Sequence, residues 1–402
     1  MFLIRRGKPD DVGTLLKLAR MVHFINLPSD KSFIEDKVAW SRQSFMLAQE
    51  TAVAGQRAAA KGRTNGKKGG GGGVPGAGHD FSEVVQTVSK RPPQFLFVME
   101  ETESKGVIGS SQIIAQMGGP PPAQPNLSLQ LSRKEMFSER LQTGVTHTVA
   151  KLHLDQSGPT EIGGLIMQPS FRGHKQKLGR LMSLVRFHYI GLYRQMFANR
   201  VLAEMMGVVT VDREGGKSPF WEHCTRQFIN LSYDQADAFS ADNKEFILSL
   251  FPREEIYLSL LPPQARAVVG QVGPETVPAK MMLEKLGFKY HMRVDPFDGG
   301  PHIEAPTDTI SLVQKTRRFE LGKPLKDGAA KGYGVVSVID QDGEFVAMQT
   351  PVTIDRQERV CLPRASWDAL RAAGATEGAA GYTPMDAPQP EHLSKPRGAA
   401  RA

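Results

Sequence analysis

The stretch EIGGLIMQPSFRGHKQKLGRLMSLVRFHYIGLYRQMF, residues 161–197, decides the fold. It opens with an apolar run, passes through a basic loop that contains Gly173 and Gly179, and continues into a long segment in which apolar residues recur at helical spacing. We therefore predict a strand, a loop and a helix, in that order. The buried stripe of the helix is predicted to be Leu178, Leu181, Met182, Val185, Tyr189 and Leu192.

Segments on both sides of this stretch repeat the alternation. FLIRR at residues 2–6 and RVLAEMM at residues 200–206 have strand patterns, whereas SPFWEHCTRQF at residues 218–228 has a helical one. Strands that alternate with helices predict an α/β sheet. Residues 333–348, YGVVSVIDQDGEFVAM, predict two strands around an Asp-Gly turn, and so a small antiparallel barrel or sandwich in the last part of the chain.

We expect three regions in the chain. Residues 1–305 are predicted to form the α/β domain, residues 306–370 a small β domain, and residues 371–402, which are rich in Ala, Gly and Pro, a disordered tail. Residues 51–80 are predicted to be a flexible insertion, because a basic tract leads there into GGGGGVPGAG. The tract carries five of the eight net charges, on Arg57, Lys61, Arg63, Lys67 and Lys68. The rest of the chain therefore has a net charge of only +3 (8 − 5 = 3).

Composition narrows the classes of function. The 402 residues, 40% of them hydrophobic, suffice for a large core, and no apolar run is long enough to cross a bilayer. The charged start MFLIRRGKPDD lacks the pattern of a signal peptide, so we expect a cytoplasmic protein. Two cysteines and scattered histidines predict neither a disulfide framework nor a metal site. Weak, nonspecific nucleic-acid binding through the basic tract is an alternative that the modest charge elsewhere disfavours.

The basic loop of the opening stretch has the features of a phosphate site. A strand that leads through a glycine-containing turn into a helix offers free backbone N–H groups and the positive end of the helix dipole. Basic side chains in the loop add charge for phosphates: Arg172, His174, Lys175, Lys177 and Arg180. The alternative is a solvated basic loop without a ligand.

Two sets of motifs resemble known families. A strand, a turn of the form Arg/Gln-x-x-Gly-x-Gly/Ala and a helix, followed later by LEKLGF at residues 283–288, resemble the GNAT-like superfamily of acyl-CoA N-acyltransferases. SPFW at 218–221, GQV-x-P at 270–274, the same LEKLGF and FDGGP at 297–301, in this order and spacing, resemble the arginine N-succinyltransferase family. AEMMG at 203–207 and INLPSD at 25–30 are similar to the same family.

This resemblance implies an enzyme of arginine catabolism that transfers a succinyl group from succinyl-CoA to the α-amine of arginine. Succinyl-CoA would be a co-substrate, and no cofactor would be permanently bound. The strand at residues 162–167 would contact the thioester and pantetheine, and the loop would hold the pyrophosphate. The coenzyme-binding residues that the resemblance implies are Leu165, Ile166, Met167, Arg172, Gly173, Gly179 and Arg180.

The chain departs from the family pattern at two places. The family's proton donor, a histidine, is replaced by Gly273, so Glu275 or His223 would have to substitute for it. Each is alternatively an exposed helix residue. The phosphate loop carries two extra residues after Arg172, which places Lys177 where the first glycine of the turn is expected.

The acceptor would be held by carboxylates, because a guanidinium group pairs with them in a planar, bidentate geometry. Glu204 and Asp298 match family positions, although Asp298 is equally suited to close a turn before two glycines. Two alternatives remain open: an acyltransferase that acts on a different amine, and a catalytically weak subunit that binds coenzyme A. The partners expected are small-molecule substrates, with a homo- or hetero-oligomer possible and no membrane.

Overall fold

The structure is a computed structural model that describes residues 1–20, 29–64, 91–118, 125–212, 215–240, 244–326, 328–340, 342–374 and 379–386. The glycine-rich part of the predicted insertion, most of the INLPSD motif and the predicted tail beyond residue 386 lie outside these ranges. Within them, no helix is both long enough and apolar enough to cross a membrane.

The first three quarters of the chain combine strands with helices, which confirms the predicted α/β class, although the five strands between residues 94 and 167 follow one another without a helix. The strands are β1 Phe2–Arg6, β2 Gln94–Glu101, β3 Val107–Ile114, β4 Asn126–Ser138, β5 Thr143–Asp155, β6 Thr160–Met167, β7 Arg200–Glu204, β8 Thr210–Asp212, β9 Gly215–Lys217, β10 Ile256–Tyr257, β11 Lys289–Val294, β12 Pro301–Pro306, β13 Arg317–Leu321, β14 Gly332–Ile339, β15 Phe345–Ile354, β16 Arg359–Cys361 and β17 Ala379–Pro384.

The helices pack on the faces of the sheet that most of these strands form. They are α1 Val12–Arg20, α2 Lys31–Thr64, α3 Leu178–Leu192, α4 Arg226–Ile229, α5 Tyr233–Ser240, α6 Glu245–Leu250, α7 Pro263–Ala267, α8 Val277–Lys285, α9 Ser311–Lys315 and α10 Arg364–Ala372. A π-helical turn, Trp221–Thr225, leads into α4, and single 3-10 turns occur at Pro9–Asp11, Pro169–Phe171, Arg194–Met196, Leu258–Leu260 and Thr307–Thr309.

The sheet opens at its centre, between β6 and β7. In the order β10-β5-β4-β11-β12-β7-β6-β3-β2-β1, these two neighbours run parallel and pair only where Thr160 faces Val201 and Glu161 faces Leu202. Beyond Glu161 the strands separate, so the rest of β6 has no pairing strand on the β7 side among the described residues. The separation leaves a wedge-shaped opening bordered by polar backbone groups.

Strand β6 carries a bulge inside this opening. Ser110 of β3 pairs with Ile166, and Gln112 pairs with Gly163, so two residues of β6, Gly164 and Leu165, face one residue of β3. Gly164 has a φ of +55°, a conformation that favours glycine. The bulge redirects the backbone N–H groups of the strand at this point.

Helix α3 is held rigidly behind the opening by an aromatic core. All six residues of its predicted stripe are buried. Tyr189 packs against Phe45 of α2 and Phe345 of β15, with ring centroids 5.1 Å and 5.3 Å apart. The start of α3, which carries the basic loop, is therefore fixed relative to the sheet.

The last strands close a small barrel, which confirms the predicted β-barrel. Strands β15, β14, β17, β13 and β16 are neighbours in that order, and β16 pairs back with β15. Strand β15 also pairs with β1, where Ile4 faces Ala347, so the barrel continues the main sheet.

Two of the predicted flexible segments are partly ordered. Residues 51–64, expected in the insertion, continue helix α2, because alanine-rich sequence favours helix. Residues 379–384, expected in the tail, form β17 between β13 and β14. Small residues there allow close packing: a Cβ atom at Gly381 would lie 2.6 Å from the side chain of Leu192.

Candidate functional site

A cavity of about 1270 Å³ occupies the opening between β6 and β7, with α3 on one side and α8 on the other. It brings together all the residues predicted to bind the coenzyme or the acceptor, together with Gly273 and Glu275. His223 is not among the residues that line it. The predicted residues that line the cavity are Leu165, Ile166, Met167, Arg172, Gly173, Gly179, Arg180, Glu204, Gly273, Glu275 and Asp298.

The basic loop forms one end of this cavity. The amide of Leu181 is the first in α3 to donate to a helical carbonyl, that of Lys177, and no acidic residue lies in the first turn. The N–H groups of the three residues before Leu181 therefore remain available at the positive end of the helix. Lys177 itself adopts a φ of +52°, a left-handed conformation in which glycine is favoured. Lys177, which is predicted to stand where the family has a glycine, thus keeps the backbone conformation that glycine favours.

The corner around Gly273 forms the opposite wall. The amide of Gly273 donates to the carbonyl of Met206 at 3.0 Å, and the amide of Gly270 donates to the carbonyl of Gly299 at 2.8 Å. A Cβ atom at Gly273 would lie 2.6 Å from the carbonyl oxygen of Gly207, closer than non-bonded contact allows. The close approach of two backbones explains why glycine occupies this position.

The two residues predicted to replace the missing histidine lie in different environments. Glu275 lines the cavity, and its Oε2 is 3.0 Å from Nη1 of Arg172 in the basic loop. His223 lies in the π-helical turn, where its Nε2 is 3.5 Å from Nε2 of Gln264. The turn buries Trp221 and Cys224, and His223 does not line the cavity, so this geometry does not support His223 as a proton donor.

The inner end of the cavity is acidic. Glu204 at the end of β7, Asp295 and Asp298 all line it. The Oε1 atom of Glu204 is buried and has no hydrogen-bond partner among the described residues, while Oε2 lies 4.0 Å from Nζ of Lys244. An unsatisfied buried carboxylate oxygen favours a cationic or hydrogen-bond-donating ligand.

Asp298 has the structural role that the turn interpretation predicted, and it also faces the cavity. Its Oδ1 accepts a hydrogen bond from the amide of Gly300 and its Oδ2 accepts one from the amide of Gly207, each at 2.7 Å. Burial, followed by the negative charge of Asp295, raises the pKa of Asp298 to about 7. Asp298 therefore fixes the FDGGP turn against the segment that follows β7.

Sequence reasoning missed Asp295, His302 and Lys244. His302 lies opposite Glu204 on the neighbouring strand β12, and its Nε2 is 3.8 Å from Oδ2 of Asp295. Burial opposes protonation of His302, but the negative charges of Glu204 and Asp295 outweigh it and raise the pKa of His302. The one available signal was the first aspartate of the motif DPFDGG, which is Asp295, since Lys244 and His302 stand in no recognisable pattern.

Three of these residues could also hold a cation. Glu204, Asp295 and His302 each present one ligand atom, and the three atoms lie within 4.8 Å of one another. The ammonium group of Lys244 already lies 4.0 Å from Oε2 of Glu204, however, and its charge repels a divalent ion about twice as strongly as a monovalent cation at Oε1.

Comparison with known proteins decides the family. A family model described as "Arginine N-succinyltransferase beta subunit" matches residues 79–312, more than half of the chain. The chain belongs to the arginine N-succinyltransferase family. This assignment confirms the resemblance inferred from SPFW, GQV-x-P, LEKLGF and FDGGP, all of which fall within the matched residues.

Individual members of the arginine N-succinyltransferase family agree with the assignment. The arginine N-succinyltransferase of Enterobacter sp. (strain 638) is 34% identical over 296 residues, which cover 72% of this chain and 82% of the relative. That of Yersinia pestis (strain Pestoides F) is 36% identical over 225 residues, which cover 56% and 62%. Subunit AI of the arginine/ornithine succinyltransferase from Pseudomonas aeruginosa has the same fold, with a TM-score of 0.69, 23% identity and coverage of 95% and 98%.

Proposed function

We propose that this member of the family transfers a succinyl group from succinyl-CoA to the α-amine of L-arginine, a reaction of arginine catabolism. One observation carries the proposal: a single cavity joins a basic helix end to buried carboxylates, with the bulged, unpaired edge of β6 between them. Such a cavity suits a donor with a phosphate group at one end and an acceptor with a cationic side chain at the other.

The coenzyme would lie along the open edge of β6. Its pyrophosphate would accept hydrogen bonds from the first N–H groups of α3, and the positive charges of Arg172 and Arg180 would stabilise it. The pantetheine chain would pair with the backbone of Leu165, Ile166 and Met167, as an added strand pairs with a free sheet edge. This placement brings the thioester to the bulge, where redirected N–H groups can stabilise the oxyanion.

Arginine would bind at the acidic end. Its guanidinium group would satisfy the unpartnered Oε1 of Glu204, with Asp295 adding negative charge nearby and Asp298, which is partly ionised at a pKa of about 7, adding a smaller share. The neutral α-amine would then attack the thioester carbon. A C–N bond forms, the C–S bond breaks, and the amine gives up one proton while the thiolate gains one.

Glu275 is the proposed carrier of that proton, directly or through water. In the structure it is paired with Arg172. A coenzyme phosphate that binds Arg172 would release Glu275 for the reaction. A thiolate is also a tolerable leaving group, since its parent thiol titrates near 8.5, so a missing histidine need not abolish turnover.

The test is thiol release from succinyl-CoA and acetyl-CoA in the presence of arginine, ornithine and a panel of other amines. We expect the fastest release with succinyl-CoA and arginine, and at least a tenfold rise in the KM for arginine in Glu204→Gln, because one partner of a charge-assisted bond is removed. Glu103→Gln, an exposed substitution in the turn between β2 and β3, is the matched control. If thiol is released only with an amine other than arginine, that amine and not arginine is the acceptor.

A second candidate function is coenzyme binding with little turnover, as in a regulatory or stabilising subunit. The backbone contact at Gly273, which leaves no room for a catalytic side chain, favours it. It predicts measurable binding of succinyl-CoA without thiol release in the presence of any amine, and the same assay therefore separates the two functions.

A further inference from the structure

Arg186 is a buried cation inside the candidate site. It lies in the middle of α3, is 3% exposed, and lines the cavity. Its Nε donates to the carbonyl of Ser183 at 3.0 Å, its Nη2 to the hydroxyl of Ser183, and its Nη1 to the carbonyl of Gly163 at 3.3 Å. Three of the five N–H groups are thus engaged, and one on each terminal nitrogen has no acceptor among the described residues.

No carboxylate in the described part of the chain balances this charge. Among the described residues Arg186 forms no ion pair, and all its acceptors are neutral oxygens. Burial lowers the pKa of Arg186 to about 9, which still leaves the guanidinium protonated at neutral pH. A buried, unpaired charge is costly to a fold, so a site of this kind is suited to an anionic ligand.

The position of Arg186 indicates which part of the ligand it meets. Its Nη1 contacts the carbonyl of Gly163, the residue that immediately precedes Gly164 and Leu165 of the bulge. The basic loop lies at the start of α3, two helical turns away along the helix axis. Arg186 is therefore close to the proposed thioester position and remote from the proposed pyrophosphate position.

We propose that Arg186 binds the free carboxylate of the succinyl group and so selects a dicarboxylic acyl chain over a neutral one. This inference rests on the proposed function, because it assumes that the thioester lies at the bulge. The two free N–H groups match the two oxygens of a carboxylate. The α-carboxylate of the acceptor has the same chemistry, and the experiment must separate the two sources.

The experiment measures kcat/KM for succinyl-CoA and for butyryl-CoA, whose acyl chain ends in a methyl group, with wild type and Arg186→Gln. We expect Arg186→Gln to lower kcat/KM about 10²-fold for succinyl-CoA and less than about threefold for butyryl-CoA, because only the former loses a buried charge pair. Arg180→Gln, a loop variant with the same change of charge, should lower both values by the same factor.

A second arm replaces arginine with agmatine, which lacks the α-carboxylate. If Arg186→Gln abolishes the preference for arginine over agmatine but keeps the preference for succinyl-CoA over butyryl-CoA, the cation serves the acceptor and the proposal is wrong. If both preferences survive, the proposal is also wrong.

Binding keeps the test independent of turnover and of folding. The wild type should bind succinyl-CoA more tightly than free coenzyme A, and Arg186→Gln should lose that difference while it binds coenzyme A as well as the wild type does. If the wild type releases no thiol but still binds succinyl-CoA more tightly than coenzyme A, and Arg186→Gln loses that difference, the proposed reaction is refuted and the role of Arg186 is not. Equal affinity of the wild type for the two ligands would refute the role of Arg186.

Discussion

Nη1 of Arg172 lies 3.0 Å from Oε2 of Glu275, so an ion pair joins the basic loop to the Gly273 corner across the cavity. The side chains are 40% and 78% exposed, and a pair of this kind contributes at most about 1 kcal/mol. A phosphate group can therefore displace the carboxylate from Arg172 at little cost. Coenzyme binding and the release of Glu275 are linked by this contact.

Glu275→Gln tests both halves of that link. Removal of the competing carboxylate frees Arg172, so the KM for succinyl-CoA should fall by up to about fivefold. Loss of the proton carrier should lower kcat about 10²-fold. Steady-state kinetics measures both, and Glu284→Gln, the same change at an exposed position of α8, is the control. An unchanged kcat would show that Glu275 does not carry the proton and serves only as the ion-pair partner of Arg172.

Gly273→Ala should destabilise the protein. The new Cβ atom would lie 2.6 Å from the carbonyl oxygen of Gly207, and such overpacking costs about 1–3 kcal/mol. The melting temperature is expected to fall, whereas Gly13→Ala, whose Cβ atom would have open space in α1, should leave it unchanged or raise it. Gly273→His meets the same obstacle and is not expected to restore a proton donor. A melting temperature for Gly273→Ala equal to that of wild type would show that the corner opens readily.

Lys177→Gly should separate backbone strain from charge in the basic loop. The left-handed conformation of Lys177, with a φ of +52°, costs about 1–2 kcal/mol in a residue other than glycine, so the melting temperature should rise. The KM for succinyl-CoA should also rise, since a positive charge is lost. Lys175→Gly removes the same charge at a position without positive φ and should raise KM while lowering stability. Equal stability changes in the two variants would contradict the strain at Lys177.

Asp237 should make the stability depend on pH. Burial, followed by the negative charges of Asp234 and Asp295, raises its pKa to about 7 from an ordinary value of 3.8, although Lys244 opposes the shift. Between these two values the folded state holds a proton that the unfolded state has lost, so the free energy of unfolding falls as pH rises through this window.

Asp237→Asn places a side chain that cannot ionise at this position. The free energy of unfolding should then no longer fall as the pH rises through this window. The melting temperature of Asp237→Asn should match wild type near pH 4 and exceed it by a few degrees at pH 8. Asp10→Asn, at an exposed carboxylate, provides the comparison at both pH values. A stabilisation of Asp237→Asn that is the same at pH 4 and pH 8 would be inconsistent with the raised pKa.

The sequence was most informative where a local pattern matches the structure directly. The stripe from Leu178 to Leu192 predicted α3 because helical periodicity requires only neighbouring residues. The barrel followed from alternating β residues around an Asp-Gly turn. In contrast, residues 379–384 were expected to be disordered, since small residues that allow close packing have the same composition as a flexible tail.

The inner end of the cavity could be predicted only in part. Glu204 and Asp298 were found through family motifs, but His302 and Lys244 come from separate segments that meet only in the folded chain. Arg186 had a weak signal, a charge four residues after Met182 on the buried side of a helix. That no described carboxylate pairs with Arg186 is a property of the packed structure, and no sequence pattern could reveal it.

The most direct test of the proposed reaction is identification of its product. Purified protein is incubated with succinyl-CoA and arginine, and fragmentation mass spectrometry locates the new acyl group. The proposed function predicts arginine that carries one succinyl group on the α-amine, formed in step with free coenzyme A. A succinyl group on another nitrogen, or no acylated arginine although succinyl-CoA is bound, would contradict it.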